Sequence, residues 1–175
     1  SSGGQEAPQY FFDKLSSWAS LDRCLKNLKQ LSPQEALSLA NIAILKHDDH
    51  LFDEVLKYCR FNFNASSLST SSPLHTAQSS RNIYALSKLA SLGAKLNSAD
   101  IHGNTLLMNI CQEDDLTSMH HLALILSKTH THFNFSIQNS RGMAAAAISM
   151  HYHDNPEMLQ VMCQMGMSLK SKVTD

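Results

Sequence analysis

The sequence lacks any close pairing of cysteines. Its four cysteines, Cys24, Cys59, Cys111 and Cys163, are widely scattered, and no two of them form a Cys-x-x-Cys pair. This spacing argues against a zinc ribbon and against a redox dithiol. Because each cysteine stands within an apolar helical pattern, we expect buried free thiols and a reducing compartment such as the cytoplasm.

The chain also lacks an excess of charge of either sign. Lysine and arginine total 14, aspartate and glutamate total 15, and the formal net charge is −1. A nucleic-acid-binding domain usually carries a basic field, so nucleic acid is not an expected partner. The sequence does not show the basic start and long apolar run that are typical of a signal peptide, and nothing in it indicates a membrane anchor.

The familiar catalytic signatures are missing as well. The sequence contains no glycine-rich phosphate loop, no His-Glu-x-x-His run and no Gly-x-Ser-x-Gly elbow. Cys111 is the thiol nearest to a polar helix end, "QEDD", and two nearby carboxylates of this run should raise its pKa and suppress the thiolate. We therefore expect no catalytic residue and no cofactor.

Ten histidines raise the possibility of a metal site, but their spacing is unfavourable. Three local pairs occur, namely His120 with His121, His130 with His132, and His151 with His153. Zinc ligands on a helix usually stand at i and i+4, whereas residues at i and i+2 point to different faces. The spacing favours solvated loop residues and no metal, with a His-x-His loop site as the alternative.

A device for starting a helix stands out in "SPLHTA", residues 72–77. A hydroxyl at the N-cap followed by proline at the first helical position satisfies the first backbone N–H groups at little entropic cost. Ser72 and Pro73 fit these positions, Leu74 and Ala77 should face inward, and His75 can bond back to the capping hydroxyl.

A second helix should follow in "IYALSKLASLGAKLN". Its apolar face carries Ile83, Leu86, Leu89 and Ala90, and Gly93 should end it. Beyond it, "SADIHGNT" has the composition of a tight turn, in which an aspartate bonds ahead to the backbone and a glycine accepts positive φ.

The pattern then begins again. Thr105 stands 33 residues after Ser72, and Leu107 takes the place of Leu74. A Ser-Pro-Leu-His-x-Ala start, Gly-Ala-x-Leu-Asn after the second helix, and Asp100-x-x-Gly103 in the turn together resemble the ankyrin repeat, whose unit is about 33 residues.

The resemblance implies an all-α fold, an ankyrin-repeat solenoid of about four helix-turn-helix units with an N-terminal helical cap. The resemblance covers about residues 32–169 and is strongest in the second repeat. The expected boundaries are 5–31 for the capping helices, 32–71 for a degenerate first repeat, 72–104 for the second, 105–142 for a third repeat with an insertion, and 143–175 for the fourth repeat and the C-terminal end.

Several details depart from the family pattern. The insertion in the third repeat should fall in or near "EDDLTSMHH" or "SKTHTH". Ser32, Pro33 and Glu35 form a capping box that should open the first repeat, and Ala144 replaces the capping hydroxyl of the fourth. All eight methionines lie from Met108 onward, and Met158, Met162 and Met165 are spaced by four and three residues. We interpret this helical stripe as core, with a plastic partner surface at Met165 and Met167 as the alternative.

The resemblance also implies a function, because ankyrin arrays bind other proteins through a concave groove lined by projecting turns and by the inner helices. Carried over by position, the partner-binding residues are Ile101, His102 and Asn104 on one turn, Arg141 and Met143 on the next, Gln112 and Glu113 at the end of the third inner helix, and His151 and Tyr152 at the end of the fourth. Arg141, His151 and Tyr152 combine large contact area with directional polar groups, as binding hot spots do.

Two classes of function are consistent with this resemblance. The first is a monomeric scaffold or adaptor that recognises a protein partner and has no chemistry of its own. The second is a non-catalytic targeting segment of a larger enzyme, for which a stop at Asp175, about where another turn would begin, is expected. The composition also resembles ankyrin proteins that intracellular bacteria deliver into host cells, which would place the protein in the host cytosol, acting on a host protein.

Overall fold

The computed structural model describes residues 26–66 and 71–168, and within these ranges the protein is all-α. It contains eight α-helices and one short 3-10 helix, and no β-strand occurs among the residues so described. The all-α prediction is therefore confirmed. Most of the N-terminal cap expected in residues 5–31 lies outside the described residues, as does the end of the fourth repeat. No helix in the described part is long and apolar enough to cross a membrane.

The helices occur in four consecutive pairs along the chain. After a 3-10 helix at Leu28–Gln30, the helices are α1 (Pro33–Leu45), α2 (Asp49–Tyr58), α3 (Pro73–Ser79), α4 (Ile83–Ser91), α5 (Leu106–Glu113), α6 (Leu116–Thr129), α7 (Ala145–Tyr152) and α8 (Pro156–Gln164). The chain divides into two compact units, Ser1–Ala85 and Leu86–Asp175.

In the first unit, helix α1 packs against both α2 and α3. Ser32 opens α1 with the expected capping box, in which its hydroxyl accepts from the Glu35 N–H at 3.1 Å and the Glu35 carboxylate accepts from the Ser32 N–H at 3.0 Å. The core includes the fully buried side chains of Leu39, Ile44 and Phe52. Helix α1 has 13 residues where α3 has seven, so the first pair departs from the repeat by nearly two extra turns at its start.

The helix-start device at Ser72 is confirmed. Ser72 is the N-cap of α3, Pro73 is its first residue, and the Ser72 hydroxyl lies 2.7 Å from His75 Nδ1. Thr105 caps α5 in the same way, since its hydroxyl accepts from the Met108 N–H at 3.3 Å. At α7, Ala144 is the N-cap and makes no side-chain hydrogen bond, as the sequence predicts.

The same kind of turn joins the two helices of each pair. A residue with positive φ is followed by an Asp or Asn whose side-chain oxygen accepts a backbone N–H of the second helix. The four sets are His47 with Asp48, Arg81 with Asn82, Asp114 with Asp115, and Asp154 with Asn155. Positive φ is uncommon outside glycine, and Asp and Asn are preferred N-caps, so the same local solution recurs four times.

Asn82 does more than cap its helix. Its Oδ1 accepts from the Ala85 N–H at 3.1 Å, while its Nδ2 donates to the carbonyl oxygen of Ile44 at 3.0 Å. That carbonyl belongs to the last turn of α1, so one buried amide, only 3% exposed, joins the first helix pair to the turn of the next.

In the second unit, α5 packs against α6 and α7, and α8 packs against α6 and α7. Met158 and Met162 of the methionine stripe are fully buried, which confirms their interpretation as core, whereas Met165 is half-buried. Met167 is also buried, so it offers no plastic partner surface. Helix α6 begins 11 residues after Thr105, as α4 does after Ser72, and has 14 residues where α4 has nine. The insertion therefore lies at the end of α6 and after it, around "SKTHTH".

We expect the Asn82 amide to contribute to stability beyond its cap. Asn82→Ser keeps a capping oxygen but loses the bond to Ile44, and should lower the free energy of unfolding by about 1–2 kcal/mol. Asn82→Ala loses both interactions and should cost about 1 kcal/mol more. Urea unfolding measures both losses. The control is Asn109→Ala, which changes a half-buried side chain of helix α5 and should stay within about 0.5 kcal/mol of wild type. If Asn82→Ser proved as stable as wild type, the tie to Ile44 would be contradicted.

Candidate functional site

The turn before helix α5 is built around one carboxylate. The Asp100 N–H donates to the Asn104 carbonyl at 2.8 Å, and the Gly103 N–H donates back to the Asp100 carbonyl at 3.0 Å. Asp100 Oδ1 accepts from the N–H groups of His102 and Asn104, each at 2.9 Å. Gly103 has φ +78°, so the predicted roles of Asp100 and Gly103 are both confirmed. We call residues 100–104 the first finger.

Residues 139–143, the second finger, repeat this arrangement with an amide in place of the carboxylate. The Asn139 N–H donates to the Met143 carbonyl at 3.0 Å, and the Gly142 N–H donates to the Asn139 carbonyl at 2.9 Å. Asn139 Oδ1 accepts from the N–H groups of Arg141 and Met143, at 2.9 and 3.1 Å. Sequence reasoning missed Asn139, although its place three residues before a glycine, as Asp100 stands before Gly103, was the available signal.

The two fingers are hydrogen-bonded to each other. The Ser140 hydroxyl donates to the His102 carbonyl at 2.8 Å, and Asn139 Nδ2 donates to Asn104 Oδ1 at 3.0 Å. The approach is close enough that a Cβ atom added to Gly103 would lie 3.1 Å from both the backbone nitrogen and the hydroxyl of Ser140. Asn104 therefore holds one finger against the next.

The helices that follow the fingers run side by side in the same direction. Their N-terminal ends leave the two touching fingers, and their C-terminal ends are also joined. His153 Nε2 donates to the Gln112 carbonyl at 2.5 Å, and Asn155 Nδ2 donates to both carboxylate oxygens of Asp114 at 3.1 Å. Sequence reasoning assigned these roles to neither His153 nor Asn155, because their bonds reach about 41 residues along the chain.

Seven of the nine predicted partner-binding residues are exposed in this unit. They are Ile101, His102, Gln112, Glu113, Arg141, His151 and Tyr152. Ile101 is 63% exposed at the tip of the first finger. His151 and Tyr152 lie edge to face, with ring centroids 4.8 Å apart. Asn104 and Met143 are half-buried, which leaves them less area to offer a partner.

Cys111 is a core residue. It is fully buried on α5, and its thiol contacts the sulfur of Met162 at 3.7 Å. Burial, and to a lesser degree the negative charge of Asp114, raises the pKa of Cys111 to about 12. The direction of the pKa shift agrees with the prediction, but the main cause is burial, and Asp114 is the one carboxylate that contributes.

The histidine pairs do not come together in the described ranges. His121 Nδ1 bonds to the Thr117 carbonyl at 2.8 Å, and His120 lies 3.8 Å from the Glu157 carboxylate on the neighbouring helix α8. Among residues 26–66 and 71–168, no group of three or more His, Cys, Asp or Glu side chains is placed to hold a metal ion.

Comparison with known proteins adds no relatives: no protein-family model matches this sequence, and no curated protein matches it. The resemblance to ankyrin repeats therefore depends on the residues quoted above.

The close contact of the fingers can be tested with a matched pair of glycines. Gly103 and Gly142 have φ values of +78° and +74°, so alanine at either site costs about 1–2 kcal/mol of backbone strain. An added Cβ meets nothing within 4 Å at Gly142 but meets Ser140 at Gly103. Urea unfolding should therefore show Gly103→Ala to be less stable than Gly142→Ala by about 1 kcal/mol or more. Equal losses would mean that the fingers do not touch in solution.

The raised pKa of Cys111 predicts an unreactive thiol. With a pKa of about 12, roughly one molecule in ten thousand carries the thiolate at pH 8. Iodoacetamide at pH 8 should leave Cys111 unmodified in the folded protein and should modify it in urea, as mass spectrometry of peptides would show. Half-buried Cys163 serves as the internal reference and should react first. Labelling of native Cys111 at the rate of Cys163 would refute the prediction.

Proposed function

We propose that the chain is an ankyrin-type helical-repeat scaffold or adaptor and binds a protein partner through the two fingers and the adjoining ends of helices α5 and α7. The observation that carries this proposal is the repeated finger, with the same four hydrogen bonds in two copies that also bond to each other. Action on a host protein as a bacterial effector stays a prediction from the resemblance.

Rigidity of the fingers favours binding. Each finger has its backbone fixed by its own Asp or Asn side chain, and two further bonds join the fingers. A surface already held in one conformation loses little entropy when a partner docks, so more of the contact energy appears as affinity. The fingers can therefore present Ile101 and Arg141 with little loss of backbone entropy.

The side chains on this surface suit protein recognition. Ile101 offers exposed apolar area on the first finger, and Arg141 offers a charged guanidinium group on the second. Tyr152, 40% exposed and held against His151, adds an aromatic surface at the far end of α7. Arginine and tyrosine are enriched among the residues that dominate binding energy. We therefore assign the largest contributions to Arg141 and Tyr152.

Two substitutions test this assignment. Arg141→Glu and Tyr152→Ala should each weaken binding of a specific partner at least tenfold, because each removes a large contact with directional groups. Partners captured from cell lysate by wild-type protein would be identified by mass spectrometry, and their affinities for each variant would then be measured by surface plasmon resonance.

Matched controls lie on the exposed face of helix α6. Lys128→Glu reverses one exposed charge, and Leu124→Ala removes one exposed apolar side chain that is 59% accessible. Both variants should bind the partner as wild type does. A partner that tolerates Arg141→Glu and Tyr152→Ala, or that is lost with the α6 variants instead, would reject the proposed surface.

A further inference from the structure

The two fingers carry basic side chains at the same place. Both have the same four hydrogen bonds and a glycine of positive φ in the fourth place, so their residues can be matched one to one. His102 and Arg141 each occupy the third place, and both are exposed. Because the direction of a side chain follows from the backbone conformation, these two side chains leave their fingers in similar directions.

The two basic residues are neighbours across the contact between the fingers. The hydroxyl of Ser140, the residue before Arg141, donates to the His102 carbonyl at 2.8 Å, and Asn139 Nδ2 donates to Asn104 Oδ1 at 3.0 Å. These bonds hold the two backbones side by side. A partner segment that runs across the fingers therefore meets both basic residues.

Neither basic side chain is paired with a carboxylate of its own chain. Within residues 26–66 and 71–168, no carboxylate oxygen lies within 4.0 Å of the Arg141 guanidinium or the His102 imidazole. The carboxylate of the fingers themselves, that of Asp100, is half-buried, and its Oδ1 accepts two backbone N–H groups. The guanidinium N–H donors of Arg141 are therefore available to a carboxylate of another molecule.

An exposed apolar side chain stands directly before the first basic residue. Ile101, which precedes His102, occupies the second place of its finger. The same place on the second finger is taken by Ser140, whose hydroxyl already bonds to the first finger. The surface of the two fingers thus combines one apolar contact with two basic groups.

We propose that the fingers select an acidic segment of the partner protein, in which one or more Asp or Glu residues stand next to an apolar residue. This inference rests on the function proposed above and names the chemistry of the partner. A guanidinium group can bind a carboxylate through two parallel N–H···O bonds, which gives direction as well as attraction. A neutral segment would cover Arg141 without replacing its bonds to water, and a basic segment would be repelled by it.

The test is selection of peptides from a random phage-display library by the whole chain. Wild-type protein should enrich peptides in which Asp or Glu stands next to a large apolar residue. Arg141→Glu should instead enrich Lys or Arg at that place, because reversing the charge reverses the preference. Lys128→Glu makes the same change of charge on helix α6 and should keep the acidic preference.

The best peptide from the wild-type selection then tests the individual contacts by fluorescence anisotropy. Replacing its carboxylates by amides should weaken binding to wild type at least about fivefold and should hardly change binding to Arg141→Gln, since a double-mutant cycle isolates the paired groups. Ile101→Ser places on the first finger the residue found at the same place of the second. This variant should also bind the peptide at least about fivefold more weakly.

Each result of the selection bears on the inference. An acidic preference that Arg141→Glu leaves in place, or that Lys128→Glu also reverses, would overturn it, because the attraction would come from charge elsewhere. A neutral or basic pool, or no enriched peptide, would overturn it too. If a neutral pool lost its binding with Ile101→Ser, the fingers would remain the binding surface and only the acidic preference would be wrong. A pool that tolerated Ile101→Ser and Arg141→Glu alike would reject the proposed surface as well.

Discussion

The structure depends on how each helix pair satisfies the backbone groups at its turn. The last carbonyls of one helix and the first N–H groups of the next have no partners within their own helices. At each of the four turns a residue of positive φ redirects the chain and the following Asp or Asn accepts an N–H of the second helix. Since the turn is only a few residues long, this single local solution fixes the two helices of a pair together.

The same short polar side chains also join one pair to the next. Asn82 in the first unit and Asn155 in the second each cap a helix with the oxygen and reach the preceding pair with the nitrogen. Two histidines join neighbouring pairs in a similar way. His47 Nε2 bonds to the Ser80 carbonyl just after α3, and His153 Nε2 bonds to the Gln112 carbonyl near the end of α5. Each unit therefore combines an apolar core with a row of side-chain-to-backbone bonds that specifies how its helices align.

The elements that match the pattern of a known repeat could be predicted from the sequence, whereas those that depart from this pattern were missed. Ser72, Asp100 and Gly103 were identifiable because their roles are local and each residue type has a physical preference for its position. The turns within the helix pairs could not be identified from the sequence. Each of them has positive φ at a residue other than glycine, namely His47, Arg81, Asp114 or Asp154. The second finger was predicted as a turn that carries Arg141 and Met143, but the role of Asn139 was missed because an amide replaces the aspartate there. The capping box at Ser32 correctly predicted where α1 begins, although α1 is nearly two turns longer than α3. For the partner-binding residues, the sequence could predict exposure but not contact, since their neighbours lie 35 or more residues away.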